Sequence, residues 1–413
     1  MLRILLIDDA HEKIKKYLEL LGEYTEISPD LIDTAASIEE AQKKLSSKQY
    51  DLAILDLYLP LRYGDDPSPE NAIRLLKELQ DETELNMPYN IVGITRWKDA
   101  DPKYKEFFDS LLLAYIVYEE GKEDWKKKLR NKVDFLLKAQ RSVQLQDFYN
   151  YDVAIINALQ TENLHILKVF GKEGWNEEKI PADMSTTYYT KTIKLRNDKT
   201  IRIVTCYALQ MASTASAVLT TKLIYNFRPK YLFMTGIAAG VNREDVNLGD
   251  ILVASKVWDG ASGKIKTNNE GIDLFMPDFH ELPLDTDMQA IIKRLSVNRT
   301  LLNNIEETYE NEKPQSRLNL HLGPIVSVPA VLSSSQEVQK LKEHCRKLLG
   351  VEMEGYGVFY AAHNTARPRP KYVVVIKSVS DYADPEKSDN YQDYCMHTSA
   401  MFAKHLIEEE LFN

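Results

Sequence analysis

The sequence predicts an α/β protein in two domains, and three observations predict it. Apolar runs of strand length recur along the whole chain. Segments with apolar residues at helical spacing separate them. The alternation stops near residue 140 and restarts at Asp152. Strands that are apolar on both faces and alternate with helices imply a parallel sheet covered on both sides. A chain of 413 residues can supply two domains, each with a core of its own.

In the first domain, "LRILLI" (2–7) reads as a buried strand, and "DDAHEKIKKYLELL" follows with apolar spacings of three and four, as in a helix. "DLAILDLYLP" is a second strand, ending at Asp56, and "ENAIRLLKELQ" a second amphipathic helix. "YNIVGIT" and "LLLAYIVY" are further strands. The domain spans 1–140. Residues 141–150, within "KAQRSVQLQDFYNY", end a helix and form a join; without a Gly/Ser-rich composition it reads as semi-rigid.

The second domain, 151–413, opens with the strand "VAIINAL" and the helical "TENLHILKVFG". The strand "KTIRIVTCYA", the long helix "TASAVLTTKLIYNF" and the strand "PKYLFMTGIAAGV" follow. "GDILVASKVW", "GPIVSVPAV" and "KYVVVIKSVS" are more strands, and "YCMHTSAMFAKHLIEEEL" is a closing helix. Residues 260–320 are polar and irregular and read as an insertion or a helical excursion.

Composition narrows the functions. A net charge of −10 argues against a nucleic-acid partner, which wants basic surface. No run reaches the ~18 apolar residues of a membrane span, and "MLRILLIDDAHEKI" is not a signal peptide, because aspartates interrupt its short apolar run. Three scattered cysteines without CxxC spacing fit free thiols in a reducing cytoplasm.

Ligands of open α/β sheets bind at the C-terminal ends of strands. In the first domain Asp8, Asp9 and Asp56 fall there. Three acids at one edge repel each other, so a divalent cation is the natural partner, and oxygen ligands favour Mg²⁺. With Thr95 after a later strand, "LLIDDA", "AILDLYLP" and "VGITRW" stand in the order and spacing of bacterial response regulators. The first domain resembles their receiver domain. The resemblance implies a five-stranded, flavodoxin-like doubly wound sheet, Mg²⁺ held by Asp8, Asp9 and Asp56, and phosphorylation of Asp56 by a sensor histidine kinase or phosphotransfer partner. The family's lysine after the last strand is absent: "AYIVYEEG" has Tyr118 there, and Lys122 lies four residues on. A pseudo-receiver used for docking is the plainer reading.

In the second domain Glu162 falls early in a helix after a strand, Glu352 and Glu354 lie in "GVEMEGYGVFYAA", and Asp381 ends a strand in "SVSDYAD". "MTGIAAGV" ends in small residues that let backbone approach a ligand. Carboxylates gathered at strand ends suit cleavage of a bond from a sugar, where one acid protonates the leaving group and another activates water. A carboxylate can also accept from two adjacent ribose hydroxyls. In motif order residues 151–410 resemble the purine nucleoside phosphorylase and methylthioadenosine nucleosidase superfamily, whose fold is a mixed-sheet α/β domain. The resemblance implies that Asp381, beside Ser380, protonates the purine. It gives Glu354 the ribose hydroxyls, Met353 a packing role on the sugar, and Glu162 the activation of water. Val331 and Leu332 would face the base, with Glu352, Gly236, Ile237 and Ala238 also against substrate. No cofactor is expected in this domain.

The departures from that family bear on the nucleophile. Gln210 and Ala212 stand where its glycine turn is expected, and Met234 and Ile237 where phosphorylases carry an arginine and a serine. Phosphate needs donors and positive charge, so water is favoured. Asp381 would donate its proton either through a pKa raised by burial or by relay from solution. A receiver joined to such a domain resembles Detocs-type antiphage effectors, which implies a phosphorylation-gated nucleosidase that cleaves adenine nucleotides (ATP, ADP or AMP) to adenine and a ribose phosphate. Arg202, Arg243, Lys256, Lys264 and Lys266 are candidates for the phosphate tail. A regulated phosphorylase or nucleosidase acting on free nucleosides is the alternative, and a non-enzymatic purine sensor a further one. The superfamily also implies at least a homodimer. Lys377, inside an apolar strand, calls for an acidic partner that the sequence does not name.

Overall fold

The computed structural model describes residues 2–81, 84–96, 102–145, 148–267, 269, 271, 273–384 and 390–412. Contacts divide the chain into two compact units, 1–143 and 144–413. Trp97 of the "VGITRW" motif and residues 146 and 147 of the expected join lie outside the described residues.

Unit 1 alternates strands and helices: β1 (Ile4–Ile7), α1 (His11–Leu21), β2 (Ile32–Ala35), α2 (Ile38–Ser47), β3 (Leu52–Asp56), α3 (Pro69–Gln80), β4 (Ile91–Thr95), α4 (Pro102–Ser110), β5 (Ala114–Val117) and α5 (Asp124–Leu145). The strand order is β2-β1-β3-β4-β5, with every pairing parallel. Every residue of β1, β3 and β4 is buried, because helices cover both faces and leave separate apolar layers. The strand β2 is an exception. Its "IDTA" is half-exposed at the sheet edge, so it carries no apolar run for the sequence to display. The stretch read as a join begins as helix, since α5 runs to Leu145.

Unit 2 contains β6 (Tyr151–Asn157), α6 (Gln160–Val169), β7 (Asn176–Ile180), β8 (Asp183–Lys194), β9 (Thr200–Tyr207), α7 (Ser213–Phe227), β10 (Pro229–Gly240) and β11 (Ile251–Asp259). A hairpin, β12 (Gly263–Thr267) and β13 (Asp273–Pro277), then β14 (Glu281–Pro283), α8 (Thr286–Leu295) and α9 (Arg299–Glu307) fill the region read as an insertion or a helical excursion. The chain continues through β15 (Leu320–Ser327), α10 (Ser335–His344), β16 (Gly350–Glu352), α11 (Gly355–Asn364), β17 (Tyr372–Asp381) and α12 (Gln392–His405). The large sheet is mixed. β10 pairs in parallel with β6 and β17, β17 pairs antiparallel with β11, and β11–β15–β16 returns to the end of β10. β10, β17, β11, β15 and β16 close a ring, and the parallel trio β6, β10 and β17 brings three strand ends to one edge. No helix among the described residues is long and apolar enough to cross a membrane.

Candidate active site

At that edge unit 2 holds a cleft of about 190 Å³. Glu162, Ile237, Ala238, Val331, Leu332, Glu352, Met353, Glu354, Ser380 and Asp381 all line it. Gly236 is one residue away and acts through its missing side chain. Its φ is +155°, and a Cβ there would stand 2.1 Å from Glu162 Oε1.

Glu162 is the third residue of α6, and its Oε2 accepts from the N–H groups of Ala158 (2.8 Å) and Leu159 (3.0 Å), fastening the start of its own helix. Its Oε1 accepts from the Ile237 N–H at 3.1 Å. Three donors on a carboxylate with about four lone-pair positions leave one free, on Oε1. Behind it, Asn157 donates to Thr235, and Asn163 donates to Asn157. Burial raises the Glu162 carboxyl above the ordinary glutamate range, against the lowering by Lys377.

Glu354 caps α11, and its Oε1 accepts from the Ala212 N–H at 3.0 Å. Ala212 holds that N–H in place with φ +94° and ψ 158°, a region glycine favours. The chain therefore keeps the backbone of a glycine turn without the glycine. Ser213 and Ser216 donate to the carbonyls of Met353 (3.0 Å) and Glu354 (2.9 Å). Glu352 also borders the cleft, but its carboxylate accepts from Ser327 Oγ and from the N–H groups of Glu354 and Gly355. That makes it a fastener of the loop that carries Met353 and Glu354.

Asp381 ends β17, past a bulge in the β10 pairing. Its Oδ1 accepts from the Ala383 N–H at 2.9 Å, and its Oδ2 from Ser380 Oγ at 3.1 Å. Lys377 is in register with Gly236 and fully buried. Its Nζ is 3.5 Å from both Glu352 and Glu354. Burial alone would push this ammonium down, yet Glu352, Glu354 and Glu162 outweigh it and hold it up. These are the acidic partners its sequence position calls for.

Met211, Gln392, Leu159 and Ala383 also line the cleft and carried no signal in the sequence. Arg202, Arg243, Lys256, Lys264 and Lys266 do not line the cleft. Arg243 pairs with Asp384 at 2.6 Å and covers the Tyr382 ring, and Lys256 pairs with Glu281. Among the described lining residues Lys377 is the one cation.

In unit 1, carboxylate oxygens of Asp8, Asp9 and Asp56 lie within 4.8 Å of one another. Such an all-oxygen set fits a hard divalent cation. The Ala10 N–H donates to Asp8 Oδ1 at 2.9 Å and the Tyr58 N–H to Asp56 Oδ1 at 3.2 Å. Thr95 is buried at the end of β4. Lys13, which carried no signal in the sequence, is buried and pairs with Asp8 at 2.7 Å and with Asp56. Burial and the neighbouring Asp56 push the Asp8 carboxyl up to about 6 despite Lys13.

The family model of the phosphorylase superfamily matches residues 152–409. The uncharacterised protein y4jS of Sinorhizobium fredii is 29% identical over 417 residues, 98% of this chain and 99% of that one. A death domain-containing ATP nucleosidase of Amphimedon queenslandica is 26% identical over 208 residues, 49% of this chain. The ATP nucleosidase Cap17 of Escherichia coli is 26% identical over 285 residues, 66% of this chain. The matched stretches span 38% and 54% of those two nucleosidases.

Proposed function

This chain belongs to the phosphorylase superfamily, and on that premise we propose that it is an N-glycosyl hydrolase cleaving adenine nucleotides to adenine and a ribose phosphate. The observation that carries the reading is the meeting of Glu162, Glu354 and Asp381 on one cleft. Glu162 takes a proton from water as the water oxygen bonds to C1′ of the ribose. The C1′–N9 bond breaks, and its electron pair passes into a purine protonated from the side of Asp381. Glu354 holds the ribose 2′- and 3′-hydroxyls, Met353 packs on the sugar, and Val331 and Leu332 flank the base. Water is favoured over phosphate because Met234 and Ile237 offer an anion neither charge nor side-chain donor. The two related ATP nucleosidases support ATP as the substrate.

The gate is unit 1, read as a receiver. Its parallel strand order, β2-β1-β3-β4-β5, is the flavodoxin-like one, and its acid cluster lies at the strand ends. Asp56 is the phosphoacceptor for a histidine kinase or phosphotransfer protein, with Thr95 beside it. Asp8, Asp9 and Asp56 would hold Mg²⁺, which would offset charge on the phosphoryl oxygens. We place the protein in the cytoplasm as an antiphage effector. It acts as at least a dimer, the second copy covering the apolar groove of Leu209, Met211 and Val218 beside the cleft. Sedimentation as a monomer would remove that last part.

A second reading has an observation in its favour. The cleft is lined by four carboxylates and one lysine among the described residues, which suits an uncharged nucleoside better than a triphosphate. Chromatography after incubation with ATP, AMP or adenosine, with and without inorganic phosphate, separates the two. We expect adenine release from ATP without phosphate, lost in Asp381→Asn by about 10²–10⁴-fold and reduced in Asp56→Ala. Consumption of adenosine alone, and only with phosphate, would overturn the proposal.

A further inference from the structure

Lys13 lies on α1, one turn past Asp9, with no exposed surface. Its Nζ bridges Asp8 Oδ2 (2.7 Å) and Asp56 Oδ2, and Tyr17 reaches the same Asp8 oxygen at 3.4 Å. A hard divalent cation would sit about 2.0–2.6 Å from carboxylate oxygens, so the ammonium fills the volume such an ion needs. The other oxygens of this pair are already engaged by the N–H groups of Ala10 and Tyr58. We propose that Lys13 is a tethered cation holding the metal position of the Asp8–Asp9–Asp56 cluster, so that a divalent cation enters only as the ammonium withdraws. This rests on reading the cluster as a receiver's cation site.

Tyr118 makes the exchange physically reasonable. It stands where receivers carry a lysine, and its ring centroid is 5.5 Å from Lys13 Nζ. The Lys16 and Arg96 charges also stand within about 6 Å of that ring, and a displaced Lys13 ammonium would share its face with them. The cation that receivers bring from the last strand thus comes here from the first helix, onto the carboxylates themselves. One ammonium cancels one charge of three, and metal entry must exceed two buried ion pairs.

The test is Mg²⁺ titration by calorimetry on the full chain, for wild type, Lys13→Met and Lys13→Arg, with thermal melts in EDTA and in Mg²⁺. Removing the competitor is expected to tighten Mg²⁺ binding by about ten-fold or more in Lys13→Met, and to make its melting temperature rise with Mg²⁺ more than that of wild type. Lys13→Arg keeps the charge and is expected to bind no more tightly than wild type. Unchanged or weaker binding by Lys13→Met, tighter binding by Lys13→Arg, or no binding in any of the three overturns the inference. Labelling by acetyl phosphate, read by mass, is scored separately. Label on Asp56 upholds the phosphoacceptor reading whatever the titration shows, and its absence alongside tighter Mg²⁺ binding in Lys13→Met removes that reading alone.

Discussion

Each unit buries one lysine among three carboxylates, and the two clusters are built oppositely. In unit 1 the Lys13 ammonium touches Asp8 and Asp56 directly, and Asp9 is exposed. In unit 2 Lys377 stands 3.5 Å from Glu352 and Glu354, and backbone N–H groups hold those carboxylates and Glu162. A lysine that makes the contacts itself can be replaced by another cation. A lysine that stands farther from its carboxylates and balances their charge is part of the frame. Backbone N–H groups hold acids in both clusters, those of Ala10 and Tyr58 in unit 1; what separates the roles is whether the ammonium itself makes the close contact.

The largest expected effect breaks that comparison if it fails. Lys377→Met leaves three buried carboxylates without a counter-charge, and removing one partner of a buried pair costs about 3–5 kcal/mol. We expect a denaturation midpoint lowered accordingly in the transition of unit 2, loss of glycosidic cleavage, and no rescue by Mg²⁺. Rescue by Mg²⁺, as expected for Lys13→Met, would make the two clusters alike.

Glu162→Gln sharpens the comparison within unit 2. The amide oxygen can still accept from Ala158 and Leu159, its NH₂ gives up the bond from the Ile237 N–H, and it cannot take a proton from water, so cleavage should fall by about 10²–10⁴-fold. In wild type, burial raises the Glu162 carboxyl. The base works only when ionised, so kcat/KM should fall as pH drops through a midpoint above the ordinary glutamate value of about 4.3. A midpoint at or below that value would take the water-activating role from Glu162.

The sequence displayed strands buried on both faces, and hence both sheets, because an apolar run needs no knowledge of neighbours. It displayed Glu162, Glu354 and Asp381 because chemistry at strand ends converges wherever parallel strands share an edge. It hid what depends on pairing. β7 and β8 pair with each other at the sheet margin, where half-exposed "NEEKI" and "DMSTTYYTKTIK" carry no apolar run. The region 260–320 reads as an insertion or a helical excursion, and it holds the amphipathic helices α8 and α9, with the hairpin β12–β13 before them that the sequence did not display. Lys13 sits in a run with His11, Glu12, Lys15 and Lys16, and only the fold reveals that this one faces Asp56. Lys377 was visible as an anomaly, but its partners come from a distant strand–helix corner.

The smallest effect is at Ala212, and it bears on how the frame holds Glu354. With φ +94° and ψ 158° Ala212 occupies a region nearly closed to residues with a Cβ, at a cost of order 1–3 kcal/mol. Glycine would remove that strain, but it would add back about 0.5–1 kcal/mol of unfolded-chain entropy. Ala212→Gly should therefore stabilise the chain by roughly 1 kcal/mol, seen as a slightly higher denaturation midpoint. If the strained turn does no more than present its N–H to Glu354, KM for the proposed substrate should hardly change, because glycine presents the same N–H. A KM that rises while stability also rises would mean that the methyl group of Ala212 shapes the cleft beside Met211, and that this turn departs from glycine for the sake of the substrate.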